Sequence, residues 1–124
     1  MSGCRGPIDD DRDDPPRIFV RCLGAAEPDA VSYVEHGIEE EGVSWVVQLG
    51  FEGDGVAVAQ GASDNSPLKI GVSVDDDGRI VVHHEQLPAE EPLFDVADVT
   101  EEAARSLGAN SARLAKGTPL KPIA

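Results

Sequence analysis

Hydrophobic positions along the chain alternate between short β-type runs and stretches with helical spacing. Arg17-Ile-Phe-Val-Arg-Cys-Leu23 is rich in β-forming residues and predicts a first strand. Pro28 suits the first turn of a helix, and Gly42 is well placed to end that helix. Ser44-Trp-Val-Val-Gln-Leu49 predicts a second strand. The apolar face of the intervening helix consists of Ala30, Val31, Val34 and Ile38.

The second half of the chain continues the alternation with a weak helix, three strands and a last helix. The weak helix is predicted over residues 56–62, and the strands over 68–74, 79–84 and 92–96. Asp75-Asp-Asp-Gly78 is a hairpin signal between the first two of these strands. Thr100 is a predicted N-cap for the last helix, and Gly117 is placed to end it.

The order strand, helix, strand, helix, strand is that of a βαβαβ unit. The first three strands should therefore be parallel and joined by right-handed crossovers, and the hairpin adds an antiparallel neighbour. A chain of 124 residues is long enough for one domain and too short for two. The pattern predicts a single α/β domain over residues 17–124, with a mixed sheet of four or five strands.

Residues 1–16 differ in composition from the rest of the chain. They contain five Asp and three Pro, and Ile8 is their only large aliphatic residue after Met1. Such a segment has too little apolar surface to offset the entropy of ordering, which predicts a disordered acidic tail. A partner tether or a targeting peptide is the functional alternative.

Charge narrows the classes of partner. The chain has 24 Asp and Glu against 10 Lys and Arg, a formal net charge of −14. This charge repels phosphate backbones, so nucleic acid is not an expected partner, whereas a divalent cation or a basic protein face is compatible. No apolar stretch approaches the roughly 20 residues that span a bilayer. Two cysteines without metal or disulfide spacing, and no signal sequence, predict a cytoplasmic protein without membrane association.

Motifs for catalysis and nucleotide binding are missing from the sequence. The glycine spacing G-x-x-G-x-G at Gly50, Gly53 and Gly55 is the reverse of the dinucleotide-binding motif G-x-G-x-x-G. It predicts only a flexible turn. His83 and His84 are adjacent on a predicted strand, so their side chains should point to opposite faces and cannot readily share a metal ion. We therefore expect a chain that is not an enzyme and that alone binds neither nucleotide nor cobalamin.

Three consecutive carboxylates, Glu39, Glu40 and Glu41, end the first predicted helix. Negative charge is unfavourable there, because the C-terminal end of a helix carries partial negative charge. On the helical wheel Glu39 points away from the apolar face, Glu40 lies on its flank and Glu41 falls close to it. Two interpretations follow: a solvated helix end, or an interfacial ligand for a hard cation such as Mg²⁺ or Ca²⁺.

Several stretches, taken in order, resemble one known family. They are Gly37-Ile-Glu-Glu-Glu-Gly-Val43, Ser66-Pro-Leu-Lys-Ile-Gly-Val72, Val81-Val-His-His-Glu-Gln-Leu-Pro88, Pro92-Leu-Phe94 and Leu107-Gly-Ala-Asn-Ser-Ala-Arg-Leu-Ala-Lys-Gly117. Over residues 17–122 the chain is similar to the small subunit of the reactivating factors (reactivases) of adenosylcobalamin-dependent diol and glycerol dehydratases. The acidic extension lies outside this resemblance, and Trp45 departs from the pattern.

The resemblance implies a fold, a partner and a client. The fold would have three layers, α/β/α, like the medium subunit of B12-dependent diol dehydratase and anticodon-binding domains. The partner would be a large reactivase subunit with an actin-like ATPase domain. The complex would act as an ATP-dependent chaperone that releases damaged cobalamin from inactivated dehydratase. The small subunit would be displaced by the dehydratase medium subunit.

The resemblance also assigns roles to particular residues. It implies that Glu40 helps to hold a divalent cation, Mg²⁺ or Ca²⁺, at the joint with the large subunit, with Glu39 and Glu41 in support. In the last helix we expect a mainly structural role, in which Gly108 permits close approach to the sheet and Asn110 and Ser111 bond a neighbouring loop. Arg113 and Lys116, in the same helix, could meet an acidic partner.

Two alternatives remain open at this stage. The first is a divergent medium subunit of the dehydratase itself, although no dedicated cobalamin motif is visible. The second is an accessory domain of anticodon-binding type, against which the charge of −14 argues. The sequence does not distinguish diol from glycerol dehydratase as the client. It also does not distinguish free cytoplasm from a bacterial microcompartment.

Overall fold

Strands and helices alternate along the chain in the order that the hydrophobic pattern predicts. The computed structural model describes the backbone of residues 4–5 and all atoms of residues 15–123. The strands are β1 (Cys4–Arg5), β2 (Arg17–Leu23), β3 (Ser44–Phe51), β4 (Ile70–Val74), β5 (Ile80–His84) and β6 (Phe94–Val96). The helices are α1 (Ala30–Glu40), α2 (Gly55–Asn65) and α3 (Glu101–Lys116).

Three parallel strands form the centre of the sheet, whose strand order is β1-β3-β2-β4-β5-β6. Strand β2 pairs in parallel with both β3 and β4. Strands β5 and β6 extend the sheet with antiparallel pairing. The predicted parallel strands, the hairpin and the mixed sheet are therefore confirmed, with the five predicted strands present as β2 to β6 of a six-stranded sheet.

The two-residue strand β1 was not predicted. Cys4 and Arg5 pair antiparallel with Gln48 and Val47 of β3, in a segment for which the sequence predicts disorder. Most of the predicted acidic tail, residues 1–16, lies outside the described residues. Among the residues of this tail that the structure describes, Cys4 and Arg5 depart from the prediction by adding an edge strand to the sheet.

Helices cover the two faces of the sheet unequally. Helices α1 and α3 pack together on one face, over a core that includes Val20, Val72 and Leu107. Helix α2 packs on the other face, where the hydroxyl of Ser73 donates a hydrogen bond of 2.8 Å to the carbonyl of Gly55. The result is the three-layer α/β/α arrangement that the resemblance implies.

Local backbone chemistry sets the element ends that the pattern misplaced. Helix α2 begins one residue earlier than predicted, where the Asp54 side chain caps it by accepting a hydrogen bond from the Val56 N–H at 3.1 Å, and it ends three residues later, at Asn65. Strand β4 starts later than predicted, because Lys69 has a φ of 65° that no strand accommodates. Thr100 and Gly117 do bound α3 as predicted.

Candidate functional site

The site begins with an unusually close contact between helices α1 and α3. A Cβ on Gly37 would lie 2.6 Å from the backbone nitrogen of Ala109, and one on Gly108 would lie 2.9 Å from the Cα of Val34. Both glycines are buried, and each lies against the backbone of the opposite helix. Gly108 thus permits close approach to helix α1 and not, as the sequence suggested, to the sheet.

This contact brings Glu40 at the end of α1 beside Arg105 of α3. The Nε of Arg105 donates to Oε1 of Glu40 at 3.0 Å, and its Nη2 contacts Oε2 of the same carboxylate. The Arg105 guanidinium holds the pKa of Glu40 below its ordinary value. The two side chains remain 53% and 42% exposed, respectively. Glu40, the predicted cation ligand, is thus an ionised carboxylate at the surface with an arginine on both of its oxygens.

Glu41 makes a second, more enclosed ion pair. Its carboxylate accepts from Nε of Arg113 at 3.0 Å and from Nζ of Lys116 at 2.8 Å. These hydrogen bonds lower the pKa of Glu41, that from Lys116 more than that from Arg113. The two cations also offset the unfavourable charge at the end of α1. The acidic partner predicted for Arg113 and Lys116 therefore lies within the chain, while Glu39 is exposed, as its wheel position indicates.

The C-terminal segment is fixed beside the same helix ends. The buried side-chain amide of Asn110 donates to the carbonyl of Lys121 at 2.9 Å and accepts from its N–H at 2.7 Å. The predicted bond from Asn110 to a neighbouring loop is thus present, whereas the hydroxyl of Ser111 donates to the carbonyl of Gly108 in its own helix at 2.7 Å. The Lys121 side chain adds to the positive charge that lowers the pKa of Glu40. Two cations therefore face Glu40, and Arg105 is the one in hydrogen-bond contact.

Glu40 does not belong to a cluster of metal-ligating side chains within the described residues. The described residues contain no group of three or more His, Cys, Asp or Glu side chains that could hold a metal ion. A lone ionised carboxylate suits a hard cation as one of six or more oxygen ligands. Glu40 could therefore supply one such oxygen ligand, and in this structure both of its oxygens contact Arg105.

Glu35 has a role that the sequence analysis missed. It lies on α1 with only 8% of its surface exposed, and its Oε2 accepts from the indole N–H of Trp45 at 3.0 Å. Trp45 was noted only as a departure from the family pattern. A charged residue between Val34 and Ile38 on the apolar face is the signal that could have indicated a buried partner.

The other candidate groups have structural explanations. His83 is buried, and its two ring nitrogens face the backbone carbonyls of His84 and Ala89 at 3.0 and 3.1 Å. His84 accepts from the N–H of Gln86 at 3.1 Å, so the two imidazoles have different surroundings, as expected. Asp75 accepts from the N–H groups of Asp77 and Arg79, which confirms the hairpin turn.

Comparison with known proteins identifies the family. The family model described as "Dehydratase medium subunit" matches residues 15–121. The propanediol dehydratase-reactivating factor small subunit of Salmonella typhimurium is 41% identical over 88 residues, which cover 70% of this chain and 75% of that protein. This chain belongs to the dehydratase-reactivating factor small-subunit family.

Other members agree with this assignment. The diol dehydratase-reactivating factor small subunit of Klebsiella michiganensis is 40% identical over 88 residues, 70% of each chain. A solved diol dehydratase-reactivating factor, complexed with ADP and Mg²⁺, has a chain that superposes with a TM-score of 0.81 at 34% identity. That match covers 88% of this chain and all of the other. A glycerol dehydratase reactivase chain gives 0.79 at 30% identity, over 89% of this chain and all of that one.

The resemblance stated from the sequence is thus confirmed for both family and fold. Members of this small-subunit family are named as components of a reactivating factor, which agrees with a non-catalytic subunit. Their names also imply a large-subunit partner and a dehydratase client. None of the helices within the described part of the chain is long and apolar enough to cross a membrane.

Proposed function

We propose that this chain is the small subunit of an ATP-dependent reactivating factor for adenosylcobalamin-dependent diol or glycerol dehydratase. The observation that carries the proposal is the match to reactivating-factor chains along their entire length, with TM-scores of 0.81 and 0.79. In this function the chain binds a large subunit with an actin-like ATPase domain. The complex loosens inactivated dehydratase so that damaged cobalamin leaves, and the dehydratase medium subunit displaces this chain.

The chain itself performs no chemistry in this scheme. We expect ATP hydrolysis on the large subunit, and neither nucleotide nor cobalamin on the isolated small subunit. The place of action is the cytoplasm, with a bacterial microcompartment as an alternative setting.

Co-expression with the large subunit of the same genome tests the proposal directly. Size-exclusion chromatography in Mg²⁺ should yield a stable complex, and that complex with ATP should restore activity to a dehydratase inactivated during turnover. Each subunit alone should restore none. A chain that forms no complex with the large subunit in Mg²⁺ would contradict the proposal.

Glu40 is the proposed point of contact through a divalent cation, Mg²⁺ or Ca²⁺. Its support is the match of the Glu39-Glu40-Glu41 motif to the family pattern, together with a carboxylate that is ionised and 42% exposed. Glu40→Ala should weaken the Mg²⁺-dependent complex by roughly tenfold or more, because a direct ligand is lost. Glu39→Ala is the matched control, since Glu39 is exposed, adjacent and equal in charge. Equal affinities for the wild type and Glu40→Ala would remove the ligand assignment.

The second candidate is a divergent medium subunit of the dehydratase itself. The description of the matching family model favours it. A pull-down with the dehydratase large subunit and cobalamin distinguishes the two functions. Retention of cobalamin in a stable complex with that subunit would favour the enzyme component over the reactivating factor.

A further inference from the structure

Arg105 occupies the position that a cation would need at Glu40. Both oxygens of the Glu40 carboxylate contact the guanidinium of Arg105, with Nε at 3.0 Å from Oε1 and Nη2 on Oε2. A carboxylate held in this two-point manner has its best-oriented lone pairs directed at the arginine. A cation and Arg105 therefore compete for the same oxygens.

The backbone fixes the two helices but leaves the side chains free to move. The Cβ position of Gly37 meets the carbonyl oxygen of Arg105 itself, so the backbones of α1 and α3 are in direct contact at this level. Separation of the pair needs only rotation of the two exposed side chains. The Arg105 side chain is 53% exposed, which lets the guanidinium swing into solvent or onto a partner.

The neighbouring pair shows what a purely structural contact looks like here. The Glu41 side chain is 14% exposed, and it has two cations from α3 on its carboxylate. Lys116 additionally donates to the backbone carbonyl of Glu41 at 2.9 Å. Glu41 is thus enclosed and multiply held, whereas Glu40 has one exposed hydrogen-bonding counter-ion that can be exchanged.

We propose that Arg105 competes with divalent cations for the Glu40 carboxylate and prevents them from binding there until the large subunit docks. The inference rests on the proposed function, because it takes Glu40 as the interfacial ligand. Cation capture is then coupled to assembly: docking brings the remaining oxygen ligands and draws Arg105 away from Glu40. A free small subunit would not sequester Mg²⁺ at this site.

The test measures the Mg²⁺ concentration for half-maximal assembly of the full chain with the large subunit. In Arg105→Gln the competitor is lost, so this concentration should fall by about two- to fivefold, the range expected for breaking one exposed pair. Arg105→Lys keeps the charge but not the two-point contact and should give an intermediate value. Thermal unfolding of each variant confirms that it is folded.

Arg113→Gln is the matched control. It removes the same charge from the same helix but acts on Glu41, so a general change in electrostatic attraction would affect both variants equally. The proposal is supported if only the Arg105 variants lower the Mg²⁺ requirement. It is overturned if Arg105→Gln leaves the requirement unchanged or raises it while Glu40→Ala still weakens assembly.

Failure of the underlying function gives a different result. Absence of a wild-type complex at any Mg²⁺ concentration would remove the reactivating-factor assignment together with this inference. Assembly that is equally tight in a metal chelator would remove the cation from the joint and leave the assignment standing. The first result therefore contradicts the proposed function, and the second contradicts only the interfacial cation.

Discussion

At the scale of single residues, the chain holds its carboxylates with partners that are distant in sequence. Arg105 and Glu40 are 65 positions apart, and Arg113 and Glu41 are 72 apart. Local periodicity indicates which face of a helix a glutamate occupies, but not which cation lies opposite. The exposed position of Glu39 could therefore be predicted, whereas the partners of Glu40 and Glu41 could not.

Trp45 provides the first residue-scale prediction. Trp45→Phe keeps the aromatic packing but removes the indole donor from the buried Glu35 carboxylate. We expect a loss of about 1–2 kcal/mol in the free energy of unfolding, measured by urea denaturation, because a hydrogen bond to a charged group is lost. A double-mutant cycle with Glu35→Met, which removes the acceptor oxygens at similar side-chain length, isolates the pair. A zero coupling energy in that cycle would show that this contact contributes nothing.

At the scale of elements, the hydrophobic pattern predicted strands and helices correctly where the periodicity of apolar residues and the turn-forming residues indicate the same boundaries. The alternation in β2 buries Ile18, Val20 and Cys22 completely, as a strand packed on one face requires. The pattern failed where a single residue decides, as at Lys69, whose positive φ delays β4. The hydrophobic pattern also does not predict contact between two helix backbones, because a glycine in the sequence does not show which backbone lies against it.

The helix contact gives an element-scale prediction. Gly37→Ala should destabilise the fold by roughly 1–3 kcal/mol or more, since its Cβ would overlap the backbone of α3. Gly61→Ala is the matched control in α2, because the nearest atom to its Cβ is Nη1 of Arg21 at 3.5 Å. Alanine there should be neutral or should stabilise the helix by up to about 1 kcal/mol. Thermal and urea unfolding of both variants test the contrast, and equal effects would refute it.

At the scale of the whole molecule, an excess of negative charge coexists with a network of ion pairs. Arg79 bridges Asp54 at 3.2 Å and Asp95 at 2.8 Å, so it joins the start of α2 to the edge strand β6. Hydrogen bonds from Arg79 lower the pKa of both aspartates. With Glu40 and Glu41, four carboxylates thus have lowered pKa values in the folded state.

These shifts fix the sign of the response to acid. A carboxylate whose pKa is lower in the folded than in the unfolded state stabilises the fold above its unfolded value, 3.8 for Asp or 4.5 for Glu. That contribution is lost as pH falls through the lowered folded values. The melting temperature should therefore decline below about pH 4.5, and Glu41→Gln should flatten this decline. An identical decline in that variant would exclude Glu41 as a contributor.

The direct backbone contact at Gly37 and Gly108 also bears on how the chain is used. Two helices in direct backbone contact over a common core are expected to behave as one rigid unit. A rigid subunit of this kind can bind to a larger complex and dissociate from it without unfolding. If the dehydratase medium subunit displaces it, the chain would dissociate in its folded state and could bind a large subunit again.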